Sequence, residues 1–439
     1  MTKDLISHPF SARVKATMAT GLLFILGIVL WMQLYRDETE HFPTGFAWPA
    51  PVPTIPDQEN ELIFLVQEMG KRKWPEITSE QSGVIGWRMP WDAVLMKPLL
   101  HAAPAMREIT EKARELPQWQ DGMIADGLLS LKEFLLSINI LQAKAMELSQ
   151  AGDGAGALEW CGLAREAVLR YQESSRSLAS LMIGTGSQLV LDRALMRILA
   201  QSGNSDLVLA QGMTLLGSPM VLRQMLMRSV AEEWREDRSA WPDVRKHPTW
   251  SPAKLIGFFR TTQPLHWLAN SRYKPQASFN LNVRYFDMLS RLGFREGREA
   301  RAELKAAREW LGAESELTLW SFESNRAGRV LAGCNYKSLF HIEKNAISKE
   351  AARRCCLAAI AAKRWSLAHG GKPPVSLTDL VPDYLSEVPL DPENSQPLLY
   401  DATSGVVYSM GVDGSNGIPV IAPAEVFASG DEGAVAQVP

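Results

Sequence analysis

The stretch LLSLKEFLLSINILQAKAMELSQAGDGAGALEWCGLAREAVLRY, residues 128–171, decides the class of fold. Its apolar positions Leu128, Leu131, Leu135, Ile138, Leu141, Ala145 and Leu148 recur in steps of three and four, which predicts a helix with one buried stripe. Gly152-Asp153-Gly154 interrupts the pattern. Ala157, Leu158, Cys161, Ala164, Val168 and Tyr171 then restart it. Two amphipathic helices joined by so short a turn must lie antiparallel. A hairpin of this kind cannot bury its stripe alone, so the chain is expected to be mainly α, with neighbouring helices completing the core.

Outward from the hairpin the pattern stays helical from about Glu59 to Asn345, with helices expected at Ser177–Gln201, Asp206–Leu216, Pro219–Arg238, Asn280–Leu292 and Arg298–Leu311. The hairpin is similar to a tetratricopeptide pair, but no 34-residue period continues it. An irregular helical bundle or a short solenoid over 59–345 is the expected body. Within it, residues 240–280 lose the periodicity: Trp241, Trp250, Phe258, Phe259 and Trp267 stand among prolines and basic residues. They read either as plugs into the body or as the lip of a binding surface.

The roughly seventy residues from Lys349 to Gly417 differ in kind. Trp365 in a helix is followed by a Gly371 to Pro374 break, by LTDLVPDYL from Leu377 to Leu385, by VPLDP from Val388 to Pro392 and by YSMGVDG from Tyr408 to Gly414. In order and spacing this resembles the globular part of the type II secretion major pseudopilin. The resemblance implies a small α+β module over 346–420, a calcium-holding loop after the last strand, and contact with secretion or pilus-type machinery. Asp413 stands at the first acidic position of that loop, whereas Ser415 and Asn416 replace further acid, and calcium prefers several carboxylate oxygens. Read from the residues alone, Ser376 and Asp379 open a short helix at Leu377. Leu398–Tyr400 and Val406–Tyr408 flank Asp401–Gly405 as a hairpin. The helix from Lys349 to His369 is expected to lay its alanine- and leucine-rich face on that sheet.

The N-terminal end places the protein. Residues 16–35, ATMATGLLFILGIVLWMQLY, carry no charge and are long enough to cross a bilayer as a helix of about twenty residues. Arg13 and Lys15 precede them and Asp37, Glu38 and Glu40 follow, which keeps residues 1–15 in the cytoplasm and sends the body across a bacterial inner membrane into the periplasm. No A-x-A-like site follows closely, so an uncleaved anchor is expected rather than a signal peptide. The segment also lacks the glycine cut site and the glutamate of a prepilin. Pro43, Pro49, Pro51, Pro53 and Pro56 in residues 36–58 read as a semi-rigid stalk. Residues 421–439 are small, polar and unpatterned, and read as a disordered tail. Anchor, helical body and pilin-like tail together are similar to large envelope proteins of planctomycete and verrucomicrobial type, a group that brings an architecture but no activity.

Chemistry is sparse. The net charge of −3 over 439 residues and the lack of a basic face argue against nucleic acid as a partner. There is no G-x-S-x-G, no phosphate loop and no H-E-x-x-H. Gly184-Thr185-Gly186-Ser187 falls inside a helix and reads as a close helix contact. Glu232, Glu233, Glu236 and Asp237 interleave with Arg228, Arg235 and Arg238 as a solvated, ion-paired face. The four cysteines, Cys161, Cys334, Cys355 and Cys356, have no metal spacing and read as buried apolar residues, with a Cys334 bridge to Cys355 or Cys356 as the alternative. The expected role is a membrane-anchored scaffold contacting the bilayer through 16–35 and other envelope proteins through its body. No catalytic or cofactor residue is assigned, apart from Asp413 for calcium. The alternative is an envelope hydrolase or polymer-binding enzyme in segment 240–280, with His247 or His266 beside a carboxylate.

Overall fold

The computed structural model describes residues 55–117 except 87, 129–175, 178–202, 205–217, 274–292, 295–315, 326–409 and 420–421. It adds isolated positions at 26–27, 39, 41–42, 119, 225–226, 228–229, 231–232 and 235. The described protein is mainly helical. After a short 3-10 turn at Asp57–Glu59 come α1 (Glu61–Gly70), α2 (Ser79–Ile85), α3 (Ala93–Arg114), α4 (Leu129–Gln150), α5 (Gly154–Glu173), α6 (Leu178–Gln201) and α7 (Asp206–Leu216). Then follow α8 (Pro275–Leu292), α9 (Arg298–Ser315) and α10 (Arg326–Ala368), and lastly strands β1 (Leu399–Asp401), β2 (Val406–Ser409) and β3 (Val420–Ile421).

The chain divides into two compact units. One comprises residues 1–46, 236–288 and 307–338, and the other residues 47–235, 289–306 and 339–439. In the first, Asn280 of α8 ties down the chain that follows the apolar segment: its Oδ1 accepts the His41 N–H at 3.0 Å and its Nδ2 donates to the Thr39 carbonyl at 2.7 Å. Phe42 meets Phe279 edge to face. Of the expected anchor only Leu26 and Gly27 are described, both helical and exposed, and the remainder of 16–35 lies outside the described residues. Among the described residues no helix is long and apolar enough to cross a membrane.

In the second unit each helix from α3 to α7 packs on the next and on the next but one, with α1 against α3 and α4. The hairpin turn follows from its sequence. Gly152 takes φ +83°, which glycine adopts without a Cβ penalty, and the Asp153 carboxylate accepts the Gly156 N–H at 2.9 Å to cap α5. Gly154 is also obligatory, since a Cβ there would sit 2.2 Å from Ser202 Oγ. All six stripe positions of α5 are buried, as expected. In α4 the stripe is broader than its period suggests. Ile138, Leu141 and Ala145 are buried, but so are Phe134, Ile140, Ala143 and Met146, while Leu131, Leu135 and Leu148 are half-buried. The reason is position: α4 touches α1, α2, α3, α5 and α6, so more than one face is covered. α3 keeps helical geometry through Pro98 and Pro104 because Met96, Leu99, Ala103, Met106, Ile109 and Ala113 form a continuous buried row.

The C-terminal segment belongs to this same unit. Its helix does not begin at Lys349: α10 starts at Arg326, so position 346 falls within one continuous helix. Leu377, Leu380, Leu398 and Val407 join Cys355, Ala358 and Ile360 of α10 and the α3–α7 residues in one core. β1 and β2 pair antiparallel with Tyr400 opposite Val407, and Gly405 at φ +71° makes the turn. β3, which the sequence pattern does not announce, adds to β2 with Tyr408 opposite Ile421, giving the order β1-β2-β3. The helix expected after Ser376 is a single 3-10 turn, Leu377–Leu380, and the Asp379 carboxylate closes it by accepting the Val375 and Ser376 N–H groups, both at 2.9 Å.

Candidate functional site

Asp413, Ser415 and Asn416 lie outside the described residues, as do His247, His266 and segment 241–273. Among the described residues no group of three metal-ligating side chains gathers. The carboxylate face around Glu232 is corrected in one respect. Glu232 is buried and pairs with half-buried Arg235, so it is packed rather than solvated, whereas Arg228 is exposed and donates to the Glu173 carbonyl. Glu233, Glu236 and Asp237 are not described. Gly184 is the close contact expected of it, because a Cβ would meet Gln172 Cγ at 2.5 Å, whereas Gly186 faces open space. Cys161, Cys355 and Cys356 are free thiols and buried. Burial pushes the Cys161 and Cys355 thiols up to about 12 and Cys356 well above its ordinary value, so they are poor nucleophiles.

The polar groups that do converge lie along α10, where it meets the helical stack and the C-terminal segment. Arg353, nearly enclosed, donates from Nε and Nη2 to the two oxygens of Glu350 at 2.8 and 2.7 Å, and from Nη1 to the Leu216 carbonyl at 2.7 Å. That last bond satisfies an otherwise open carbonyl at the C-terminus of α7. Arg354 shares Glu350 and reaches outward, with a two-bond fork onto Glu296 at 3.1 and 2.6 Å and a bond to the Leu390 carbonyl at 2.8 Å. Gly297, which opens α9, donates its N–H to the Pro392 carbonyl at 3.1 Å. Burial alone would raise the Glu350 carboxyl, but the hydrogen bonds and charges of Arg353 and Arg354 outweigh it and hold the group below its ordinary value. Nearer the end of α10, Arg364 grips Asp206 at the start of α7 with two bonds of 2.7 and 3.2 Å and lies over the Tyr384 ring. In the turn of the VPLDP motif, buried Asp391 accepts the Glu393 N–H at 3.0 Å and the Ser409 hydroxyl at 2.7 Å.

A second buried pair joins α5 to α6: Arg165 Nε donates to Asp192 at 3.2 Å. Among the described residues Arg165 Nη2 has no hydrogen-bond partner, and neither has the side-chain amide of Gln172 or Gln188 on the same two helices. Burial pushes the Asp192 carboxyl up despite the opposing charge and hydrogen bond of Arg165.

One open cleft of about 490 Å³ lies where α3, α5 and α7 diverge. Leu158, Leu163, Leu169 and Leu215 supply its apolar lining, and Gly162 lets Leu215 approach, since a Cβ there would lie 3.1 Å from it. Its charged rim is paired within itself: Arg107 with Glu111 at 2.7 Å and Glu159 at 3.7 Å, and Arg114 with Glu166 at 3.1 Å.

The chain matches no family model, no curated protein and no solved structure. The reading of the molecule therefore rests on its own residues.

Hydrophobic periodicity does not single out Glu350, Arg353, Arg165 or Asp192. A signal for them exists: Arg165 stands directly after Ala164 of the buried stripe, and Asp192 interrupts the apolar run LVLDRALMRIL at 189–199. A charge in the phase of a core stripe requires a buried partner.

Proposed function

We propose that the protein is a membrane-anchored scaffold whose helical body and pilin-like C-terminal module stand in the bacterial periplasm and contact other envelope proteins, of secretion or pilus-type machinery. On this reading residues 16–35 cross the inner membrane and the body is an irregular helical bundle or short solenoid. The module at 346–420 is a fixed part of it rather than a subunit that polymerises. The observation that supports the reading best is the shared core of Leu377, Leu380, Leu398 and Val407 with α10 and the α3–α7 stack, locked by Arg353, Arg354 and Arg364. A module held in this way presents a constant surface, as a protein-contact role requires. The leucine-lined cleft with its charge-neutral rim is a surface of the composition proteins use for one another.

The test is photo-crosslinking in intact membranes with a photoreactive residue in place of Leu169 or Leu215, both in the cleft lining. A discrete protein adduct from Leu169 that vanishes when the facing α7 wall is charged by Thr214→Glu, an exposed position, supports the scaffold. No adduct from either position, with the protein still in the membrane, removes it. Calcium at Asp413 is a separate part of the proposal and rests on the pseudopilin resemblance. Calcium should raise the Tm of the full chain, and Asp413→Ala should cancel the rise.

A further inference from the structure

Helix α8 has one face that the core does not cover. Between Ala277 and Met288 the described residues are buried except Leu281, Arg284 and Met288. Their steps of three and four residues put these side by side on one side of the helix. Arg284 is exposed between half-buried Leu281 and Met288, and the only acid of α8, Asp287, is buried. The face is therefore partly apolar and positively charged. Asn280, one turn before Arg284, holds the chain at Thr39 and His41 through hydrogen bonds of 2.7 and 3.0 Å. Thr39 is only four residues past Tyr35, the last residue of the apolar run. Four residues span at most about 14 Å. The headgroup layer of a bilayer takes up about 5–7 Å of that, so with 16–35 in the membrane Asn280 stands within about one helix diameter of the lipid surface. An open face of leucine, arginine and methionine tied at that height matches an anionic lipid surface in both chemistry and distance.

We propose that this face of α8 lies on the headgroup layer of the membrane that residues 16–35 cross, with Arg284 against anionic phosphates and Leu281 and Met288 toward the acyl boundary. The contact presupposes that residues 16–35 are the anchor and does not depend on which proteins the cleft meets. An anchor alone is a swivel. A second lipid contact, on a helix hydrogen-bonded to the chain that leaves the anchor, fixes how that helix faces the bilayer and makes its seating depend on anionic lipid.

The experiment is photo-crosslinking of the full chain reconstituted in vesicles of phosphatidylcholine, alone or mixed equally with phosphatidylglycerol. A photoreactive residue replaces Leu281, Met288 or, to report on the anchor itself, Leu26. Leu281 and Met288 should each give a lipid adduct, about five-fold stronger with phosphatidylglycerol, the factor that one arginine contributes at an anionic surface. Arg284→Gln should remove that gain and leave the Leu26 adduct as it was. A lipid adduct missing at either position, while Leu26 still labels lipid, overturns the contact and leaves the anchor in place. So does a protein adduct instead of a lipid one, a wild-type adduct equal in the two kinds of vesicle, or a phosphatidylglycerol gain that survives Arg284→Gln. If Leu26 labels no lipid, the anchor and the contact fall together.

Discussion

Two buried carboxylate–guanidinium pairs behave in opposite ways. Glu350 with Arg353 is fully hydrogen-bonded: the guanidinium gives three bonds, two to the carboxylate and one to the Leu216 carbonyl, and Arg354 adds another to the carboxylate. Asp192 with Arg165 is joined by a single bond of 3.2 Å, and Arg165 Nη2 is left over. Burial is similar in the two, yet the Glu350 carboxyl is held down and the Asp192 carboxyl is pushed up. What separates them is that two guanidiniums and three hydrogen bonds replace the lost water at Glu350, against one guanidinium and one hydrogen bond at Asp192. The first pair fastens elements together, and the second is tolerated.

The largest effect should come from breaking the satisfied pair. Glu350→Gln leaves Arg353 buried without its counter-charge and loosens the joint to Leu216, for a loss of about 3–5 kcal/mol in chemical unfolding. The pH dependence has a definite sign. A carboxyl held below its ordinary value contributes stability above the unfolded-state pKa, and that contribution is lost as pH falls through the folded one. The deficit of Glu350→Gln relative to wild type should therefore shrink in acid. If the deficit is small at neutral pH, the pair does not fasten α10 and the comparison fails.

The Asp192 pair should respond differently. Arg165→Met alone strands a buried acid and costs about 1–3 kcal/mol, but the double variant Arg165→Met/Asp192→Leu should return to within about 1 kcal/mol of wild type, because the pair barely repays its desolvation. Since the folded-state pKa of Asp192 is raised, wild type gains on Asp192→Asn as pH falls through that raised value, the reverse of the Glu350 case. A double variant as damaged as the single one would show that the second pair is fastened as firmly as the first.

The sequence carries the helices well and their depth poorly. The α5 stripe, the Gly152–Gly154 turn and the Leu399–Ser409 hairpin are local events, set by spacing and by glycine and aspartate chemistry over a few residues, and they appear where the pattern puts them. Burial of Ile140 and Met146 depends on which helices surround α4, which no window of sequence contains. The start of α10 at Arg326 is hard to read for the opposite reason: Gly328, Gly333, Asn345 and Ser348 all punctuate 326–349, yet the helix runs through them. The polar joint was the least legible part. Its members, Glu296, Glu350, Arg353, Leu216 and Leu390, come from four separate stretches and look like ordinary surface charges and loop ends until the chain is folded.

The smallest effect sharpens the comparison most cheaply. Gln188 is buried on α6, on the face that carries Asp192 one turn later, and neither its Oε1 nor its Nε2 has a hydrogen-bond partner. If the α5–α6 seam is under-satisfied as a whole, and not only at Arg165, then removing this amide should cost nothing. Gln188→Leu shortens the side chain by one heavy atom and replaces two unpaired polar groups with apolar ones. It should leave stability unchanged or raise it by about 1 kcal/mol, against a usual cost of about 1 kcal/mol for a random substitution. A loss of about 2 kcal/mol or more would mean that ordered water serves the Gln188 amide, since a displaced structural water takes its hydrogen bonds with it. The seam would then be as well satisfied as the Glu350 joint, and the contrast between the two pairs would come down to Arg165 alone.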